Sequence, residues 1–521
     1  MSFKQKIFDF YNLTTDEYDL LTKEVSFSDL PPPSQFSDME KASERIFQAI
    51  NNNEKIVVYG DYDADGVMAT SILVATLKRL GANVGYYLPS RYIDGYGLNI
   101  ERVNQFGELG YNLIITVDNG IAQIEAVKKA NSLGIDVIIS DHHEPLETLP
   151  PALAILHPTV SNYGEIISCG AYIAFMLAWA LLKAPDEYYA TLAMVATVAD
   201  LMPLVGYNRD IVKIGLKLLN KHKYSQLTLL ANEEVITEET VGFLIAPKIN
   251  AVGRVLEGVE INNLIRYFES EDANLINQLA RWINQVNEQR KTTMNLAFAK
   301  GEKDVDTSKS AIVTITEEKE GLIGLLASRY VEKYEKVSVV FCPHASDETL
   351  LKGSARSKPG FSITKAFQSL SHLLEAYGGH EGAGGLTIKK SNFAAFKQGF
   401  EQLALKYEFI EVKEQLIPLE IEEISFPNFN FLNALSPFGI GFPAPKFLLS
   451  KINPHKLNWS NNNKHIVSNI SKEVRITGWN INQNEFLAAN LVDLSGKLLL
   501  NTWRGFTSIV FNIESYEPSD E

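Results

Sequence analysis

Three aspartates at alternate positions, Asp61, Asp63 and Asp65, follow an apolar run in the stretch V-V-Y-G-D-Y-D-A-D-G (57–66). Carboxylates this close repel one another and raise each other's pKa unless a cation neutralises them, as a hard divalent metal ion does directly. One aspartate there could simply cap the following helix. Three need more explanation. Two further apolar runs end alike: Leu113-Ile-Ile-Thr-Val117 runs into Asp118-Asn-Gly, and Val137-Ile-Ile-Ser140 into Asp141-His142-His143. Turn propensity accounts for one such ending but poorly for three. Asp200 adds a fourth contribution at the end of the apolar run 192–199, where a carboxylate opposes the helix dipole and calls for a compensating cation. Mixed Asp and His ligands suit manganese or magnesium better than calcium. Two such ions sharing a carboxylate can clamp the attacking and leaving oxygens of an in-line phosphoryl displacement, and the ligands suffice for two.

For these acids to converge, the apolar runs must be strands of one sheet with their carboxyl ends on the same side. Strand and helix patterns alternate between residues 55 and 158, the signature of a doubly wound parallel sheet, in which ligands sit just beyond the carboxyl ends of the strands. Strands are expected over 55–59, 84–88, 113–117, 137–140 and 153–156, with helical patterns such as 69–80 and 121–133 between them. Residues 166–204, rich in Ala and Leu, read as helical core. Residues 271–300 read as one long polar helix with an apolar side, a connector between domains, and 301–310 as a linker.

A second α/β unit follows, with strands over 311–315 and 337–341 around a helix over 322–334. G-S-A-R-S (353–357) precedes a helix near Ile363. Y-G-G-H-E-G-A-G-G (377–385) holds five glycines in nine residues, a loop whose backbone N–H groups could approach an anion closely. From 416 to 516 the pattern changes to short alternating strands carrying Trp459, Trp479, Trp503 and Phe506.

The whole chain sets bounds on this reading. At 521 residues it exceeds what one hydrophobic core supports, and with 45% hydrophobic and 21% charged residues it has an ordinary globular composition. Its first thirty residues include Asp9, Asp16, Glu17 and Asp19 and lack the pattern of a secretory signal, which points to the cytoplasm. The longest apolar run, 171–182, is too short for a membrane span. Cys169 and Cys342 are too few for a disulfide framework or a thiolate zinc site. A formal net charge of −15 argues against indiscriminate binding to polyanions but leaves room for a local basic groove.

D-Y-D-A-D-G (61–66), D-N-G (118–120), D-H-H (141–143) and V-A-D-L-M-P-L (198–204) together resemble the four ordered motifs of the DHH phosphoesterase superfamily, most closely its RecJ-type branch of single-strand-specific 5′-to-3′ DNA exonucleases. The resemblance implies that Asp63, Asp65, Asp118, His142 and Asp200 hold two Mn2+ or Mg2+ ions with Asp118 as the bridge. Asp61 would be a further ligand or a supporting acid. His143 would contact the scissile phosphate or assist proton transfer, a role imidazole suits because it titrates near neutrality.

Arg91, in L-P-S-R-Y-I-D-G-Y-G (88–97), is placed to reach a phosphate. P-K-I-N-A-V-G-R (247–254) is similar to a RecJ motif, which implies that Asn250 and Arg254 hold the strand. Residues 353–357 and 377–385 resemble the DHH-associated domain, so that Arg356 and His380 would contact phosphates and Gly379 would offer a backbone donor. The usual G-G-H-x-x-A-A-G has Gly384 for its second Ala here, which predicts a looser backbone. N-A-L-S-P-F-G-I-G-F-P-A-P (433–445) resembles the start of the RecJ OB-fold, a module that holds single strands by basic grooves and aromatic stacking.

The expected architecture is therefore an N-terminal helical segment (1–50), an α/β parallel-sheet metal domain (51–270), a connecting helix and linker (271–305), a smaller α/β DHH-associated domain (306–412) and a C-terminal all-β OB-fold (413–521). The expected activity is two-metal hydrolysis of single-stranded DNA from its 5′ end, in repair and recombination. The expected protein is a monomer, with a helicase and a single-strand-binding protein as candidate partners. Two rivals are a phosphoesterase of short oligoribonucleotides or small nucleotides, and a catalytically inactive replication scaffold. The extra β-module counts against the first, and the full set of mutually repelling carboxylates against the second.

Overall fold

The computed structural model describes residues 1–519 apart from 92, 165, 257, 407–413, 461–462 and 504–505. The chain divides into two compact units, one of residues 26–202 and 206–412, the other of 1–25, 203–205 and 413–521. The expected boundary at 412/413 falls outside the described residues.

In the larger unit, β1 (Lys55–Tyr59), β2 (Asn83–Tyr87), β3 (Leu113–Val117), β4 (Asp136–Ser140) and β5 (Ala154–Leu156) form a wholly parallel sheet in the order β2-β1-β3-β4-β5. Strands β1 and β3 lie at its centre and are almost continuously apolar, as strands covered on both faces require. The helix Ala64–Arg79 starts five residues earlier than its periodicity predicts. Its first turn is held by Asp63 and packed by small residues, and it is buried nearly all round against the helices Gly170–Leu182 and Glu187–Ala199. Those two helices replace the single helical stretch expected over 166–204. Lys183, in the left-handed region at φ +62°, ends the first, and Asp186 caps the second.

The connector is the helix Ala273–Gly301, whose 29 residues span roughly 44 Å. Beyond it, β6 (Ile312–Ile315), β7 (Ser338–Pro343), β8 (Leu350–Arg356), β9 (Leu374–Gly379) and β10 (Ala383–Lys389) form a second sheet, ordered β6-β7-β8-β10-β9. The glycine-rich stretch 377–385 is therefore not an open loop. It is the tip of the β9–β10 hairpin, in which Gly379 pairs with Gly384. Gly384 is buried, and a Cβ there would lie 2.8 Å from Ile363 and Phe367, so tight packing takes the place of the expected looseness.

In the smaller unit, β11 (Leu416–Pro418), β12 (Lys446–Ile452), β13 (Ile466–Asn469), β14 (Val474–Gly478), β15 (Val492–Trp503) and β16 (Phe506–Pro518) form a sheet ordered β11-β12-β15-β16-β14-β13. Strands β15 and β16, of 12 and 13 residues, are far longer than the short strands expected. Residues 1–50, expected as one peripheral segment, divide instead. Phe3 and Ile7 enter the core of the smaller unit, with Phe3 stacked on Phe447 at 5.9 Å, whereas the helix Met39–Asn51 packs on the larger unit's first sheet and the helix Gly170–Leu182. The cause is legible in the helix Phe3–Tyr11, whose apolar side is rich in aromatics and cannot remain in water.

Candidate metal centre

The turns after β1, β3 and β4 carry the acids and histidines, and local packing fixes each of them. Gly66 lets the helix Ala64–Arg79 begin directly against the first turn, because a Cβ there would lie 2.6 Å from that of Asp61. Asp63 caps this helix by accepting the Gly66 N–H at 3.1 Å. Asp65 is buried and accepts the N–H groups of Gly170 and Ala171 at 2.6 and 2.7 Å, at the positive end of the helix Gly170–Leu182. Asp118 has φ +62°, a left-handed conformation that Asp tolerates better than most residues. Asn119 holds it there, its Nδ2 donating to the carbonyls of Tyr59, Gly60 and Val117 at 3.0–3.2 Å and so stapling the ends of β1 and β3 together.

Seven ligating groups converge. Asp61, Asp63 and Asp118 form one set, Asp118, His142 and His143 a second, and Asp65, His142 and Asp200 a third, with one ligand atom of each member within 4.8 Å of the others in its set. Asp118 and His142 each belong to two sets. His142 Nε2 lies 3.1 Å from Asp118 Oδ1, 3.5 Å from Asp65 Oδ2 and 3.6 Å from Asp200 Oδ2. Donors about 2.1 Å from an octahedral ion, at right angles to each other, lie roughly 3 Å apart, so these spacings fit a divalent cation. Asp118 Oδ1 is buried and accepts no hydrogen bond among the described residues, so this oxygen has a lone pair to offer a cation.

The electrostatics agree. Burial, then the charge of Asp63, raises Asp61 well above the usual carboxylate range, and burial with Asp65 does the same for Asp118. Burial and Asp65 also raise Asp63, and push Asp200 up to about 8. Burial holds His142 below its ordinary value despite the acids around it, leaving a neutral imidazole able to ligate. His143 differs. Burial would lower it, but its hydrogen bond to Asp141 together with the charges of Asp141, Asp65 and Asp200 outweighs burial and brings it to about 9. Burial would raise Asp141, but the same bond, the charges of His143 and His142 and the Ile121 N–H together hold it below its ordinary value.

Asp141 is the residue that sequence reasoning undervalued. Its Oδ1 meets His143 Nδ1 at 2.8 Å and accepts the His142 N–H at 2.7 Å, and its Oδ2 accepts the Ile121 N–H at 2.9 Å, so it orients the turn rather than joining the cluster. Its place in the D-H-H motif was the available signal. Tyr96, whose hydroxyl lies 3.0 and 3.1 Å from the two His143 ring nitrogens, carried none beyond its glycine-rich surroundings.

Beside the cluster is a cavity of about 280 Å³ whose wall includes Arg91, Arg254, Lys352, Ser354 and Arg356, with Glu320 as its one acid among the described residues. Arg91 lies over the Tyr62 ring at 4.3 Å, and its Nε is buried without a hydrogen-bond acceptor among the described residues. Burial and Arg91 together lower Arg254 to about 10 and also lower Arg356. Crowded cations in a partly dry pocket call for an anion.

Asn250, expected to hold the strand, accepts the Ala64 N–H at 2.8 Å and so braces the metal-site turn. Gly379 has φ +138°, and a Cβ there would lie 2.4 Å from the Ala383 carbonyl oxygen, so the hairpin requires its missing side chain. His380 is exposed at the hairpin tip and is not among the residues lining the cavity. In the smaller unit Trp459 packs on Phe486 at 5.7 Å, whereas Trp479 is 60% and Phe506 81% exposed. The Trp503 side chain lies outside the described residues.

A parallel sheet gathering acids and histidines at its strand ends, joined by a long helix to a second α/β sheet that offers arginines, is the arrangement of the DHH class of proteins. The model of the DHH family, N-terminal domain, matches residues 55–202, that of the DHHA1 domain 308–406 and that of the RecJ OB domain 417–515. The single-stranded-DNA-specific exonuclease RecJ of Bacillus subtilis is 34% identical over 93% of the chain, which spans 63% of that relative's length. The RecJ exonuclease of Thermus thermophilus is 33% identical over 92% of the chain and 71% of its own length. A crystal structure of RecJ in complex with Mn2+ from Thermus thermophilus superposes with a TM-score of 0.83 at 31% identity, covering 96% of this chain and 74% of that one. The chain belongs to the RecJ family.

Proposed function

We propose that this chain is a metal-dependent exonuclease that removes nucleotides from the 5′ end of single-stranded DNA, in repair and recombination in the cytoplasm. One observation carries the reading: three sets of candidate ligands, linked through Asp118 and His142, lie beside a cavity lined by three arginines and a lysine. The DNA substrate and its single-strandedness follow the relatives named single-stranded-DNA-specific exonucleases, and the 5′ polarity follows the family resemblance.

Asp63, Asp65, Asp118, His142 and Asp200 would hold two Mn2+ or Mg2+ ions, with Asp118 between them and Asp61 supporting. Ions held by these residues would supply a lowered pKa for water and positive charge against the phosphoryl group. The chain's own groups do the rest. Arg91, Arg254 and Arg356 hold phosphates of the strand, and Arg356 offsets the negative charge that develops during displacement. His143, held by Asp141, contacts the scissile phosphate and moves a proton, and the raised pKa of about 9 keeps it protonated and able to donate. Gly379 and His380 belong to the hairpin of the DHH-associated domain and complete the phosphate contacts. The OB domain supplies a platform on which bases stack. The functional divisions are those expected from the sequence (51–270, 306–412 and 413–521), in a monomer that works with a helicase and a single-strand-binding protein.

The test is digestion of 5′-labelled and 3′-labelled single strands in Mn2+, with duplex DNA and a short RNA alongside. Immediate release of the 5′ label with the duplex spared is the expected result. Preference for the short RNA would overturn the substrate, and binding without cleavage would overturn the activity.

A further inference from the structure

His157 follows β5 as the D-H-H turn follows β4, and it is wholly buried. Its Nδ1 accepts the N–H groups of Thr159 and Val160 at 3.2 and 3.5 Å, capping the short helix Pro158–Ser161. A ring nitrogen that accepts carries no proton, so the proton of the neutral imidazole sits on Nε2. That nitrogen lies 2.7 Å from the main-chain carbonyl oxygen of His143 and donates to it. The His143 side chain is held at Nδ1 by Asp141, and its N–H also reaches Asp141 at 3.2 Å. The ring also meets the Tyr96 hydroxyl, and among the described residues the carbonyl accepts its hydrogen bond from His157.

Resting on the reading above, we propose that His157 is a positioning residue for the phosphodiester cleavage, its Nε2–H fixing the backbone of His143 and with it the place of the His143 ring. The physical reason is the turn itself. Residues 142–143 lie beyond the β4–β5 ladder, in which the Asp141 N–H still donates to the Leu156 carbonyl at 3.1 Å, so no strand neighbour satisfies the His143 carbonyl. Without a buried donor the peptide could rotate, and an error of a fraction of an ångström at the ring misplaces a proton-transferring group.

The two nitrogens can be separated by substitution. In His157→Asn the amide oxygen reaches where Nδ1 stood and keeps the helix cap, but the donor to His143 is lost. In His157→Gln the amide N–H reaches towards the Nε2 position and restores that donor. The full chain is assayed in Mn2+ on a 5′-labelled single strand, with melting temperatures for both variants and with wild type and Asp118→Ala alongside. His157→Asn should melt near wild type with kcat about tenfold to a hundredfold lower and KM little changed, and His157→Gln should recover most of kcat. Equal kcat in all three proteins, or equal losses in both variants that track their melting temperatures, would overturn the inference. A wild type that cleaves nothing would instead remove the exonuclease reading itself.

Discussion

Several members of the metal centre are set by backbone contacts that a single substitution can break. Asp141→Asn keeps the shape of the side chain but removes the charge that raises His143, and kcat should fall about tenfold to a hundredfold, measured in saturating Mn2+ with Asp118→Ala as the dead reference. Gly170→Ala would put a Cβ 2.6 Å from that of Asp118, so a weaker Mn2+ affinity and a loss of about 1–3 kcal/mol of stability are expected from calorimetry and chemical denaturation. Protonation gives a third consequence. Asp61, Asp63, Asp118 and Asp200 have folded-state pKa values above their unfolded ones, so between roughly pH 4, the unfolded aspartate value, and about 8, the value for Asp200, the metal-free folded protein holds more protons than the unfolded chain. Its stability from these groups therefore falls as pH rises through that window. Metal replaces those protons, so the rise in melting temperature on adding Mn2+ should be larger at pH 8 than at pH 6. An equal or smaller rise at pH 8 would contradict it.

At the scale of elements, the short helix Ala246–Val255 couples the metal site to the rest of the larger unit. Its Asn250 braces Ala64, its Arg254 reaches the Gly321 carbonyl at 3.4 Å, and a Cβ on Gly253 would lie 2.4 Å from the Tyr62 carbonyl oxygen. Gly253→Ala should push this helix from the first metal turn and raise KM for the strand more than it lowers the melting temperature. The sequence revealed the strands because their apolar runs are continuous, and it revealed the ligands because each run stops at a charge. It concealed whatever depends on a partner distant in the chain. The bracing role of Asn250, beside the strand contact that its motif implies, was hidden because the Ala64 N–H it accepts lies 186 residues away. His157 looked like nothing at all, since a lone histidine after a three-residue strand has no pattern. Lys352 and Glu320 joined the cavity only when β8 and the helix Glu320–Tyr334 were folded beside Arg91. The glycine-rich hairpin was misjudged as a loop because glycine counts do not distinguish an open anion cradle from strands packed too closely for side chains.

For the whole molecule, the division of the N-terminus has a measurable consequence. Phe3 and Ile7 belong to the core of the smaller unit, so deleting residues 1–25 should destabilise the C-terminal sheet rather than the metal domain, and truncating Phe3 to Ala alone should cost about 3–5 kcal/mol there. Limited proteolysis would register this as early cleavage within 413–521. The larger unit, by contrast, concentrates several uncompensated carboxylates in one place, which a protein maintains only if cations compensate for them. Titration of Mn2+ into the metal-stripped chain by calorimetry tests that most directly. Two ions per chain for the wild type, and loss of the shared pair with cleavage in Asp118→Ala, is the expected result. No binding, or binding and cleavage that Asp118→Ala leaves intact, would contradict the assignment of this cluster as the catalytic metal centre.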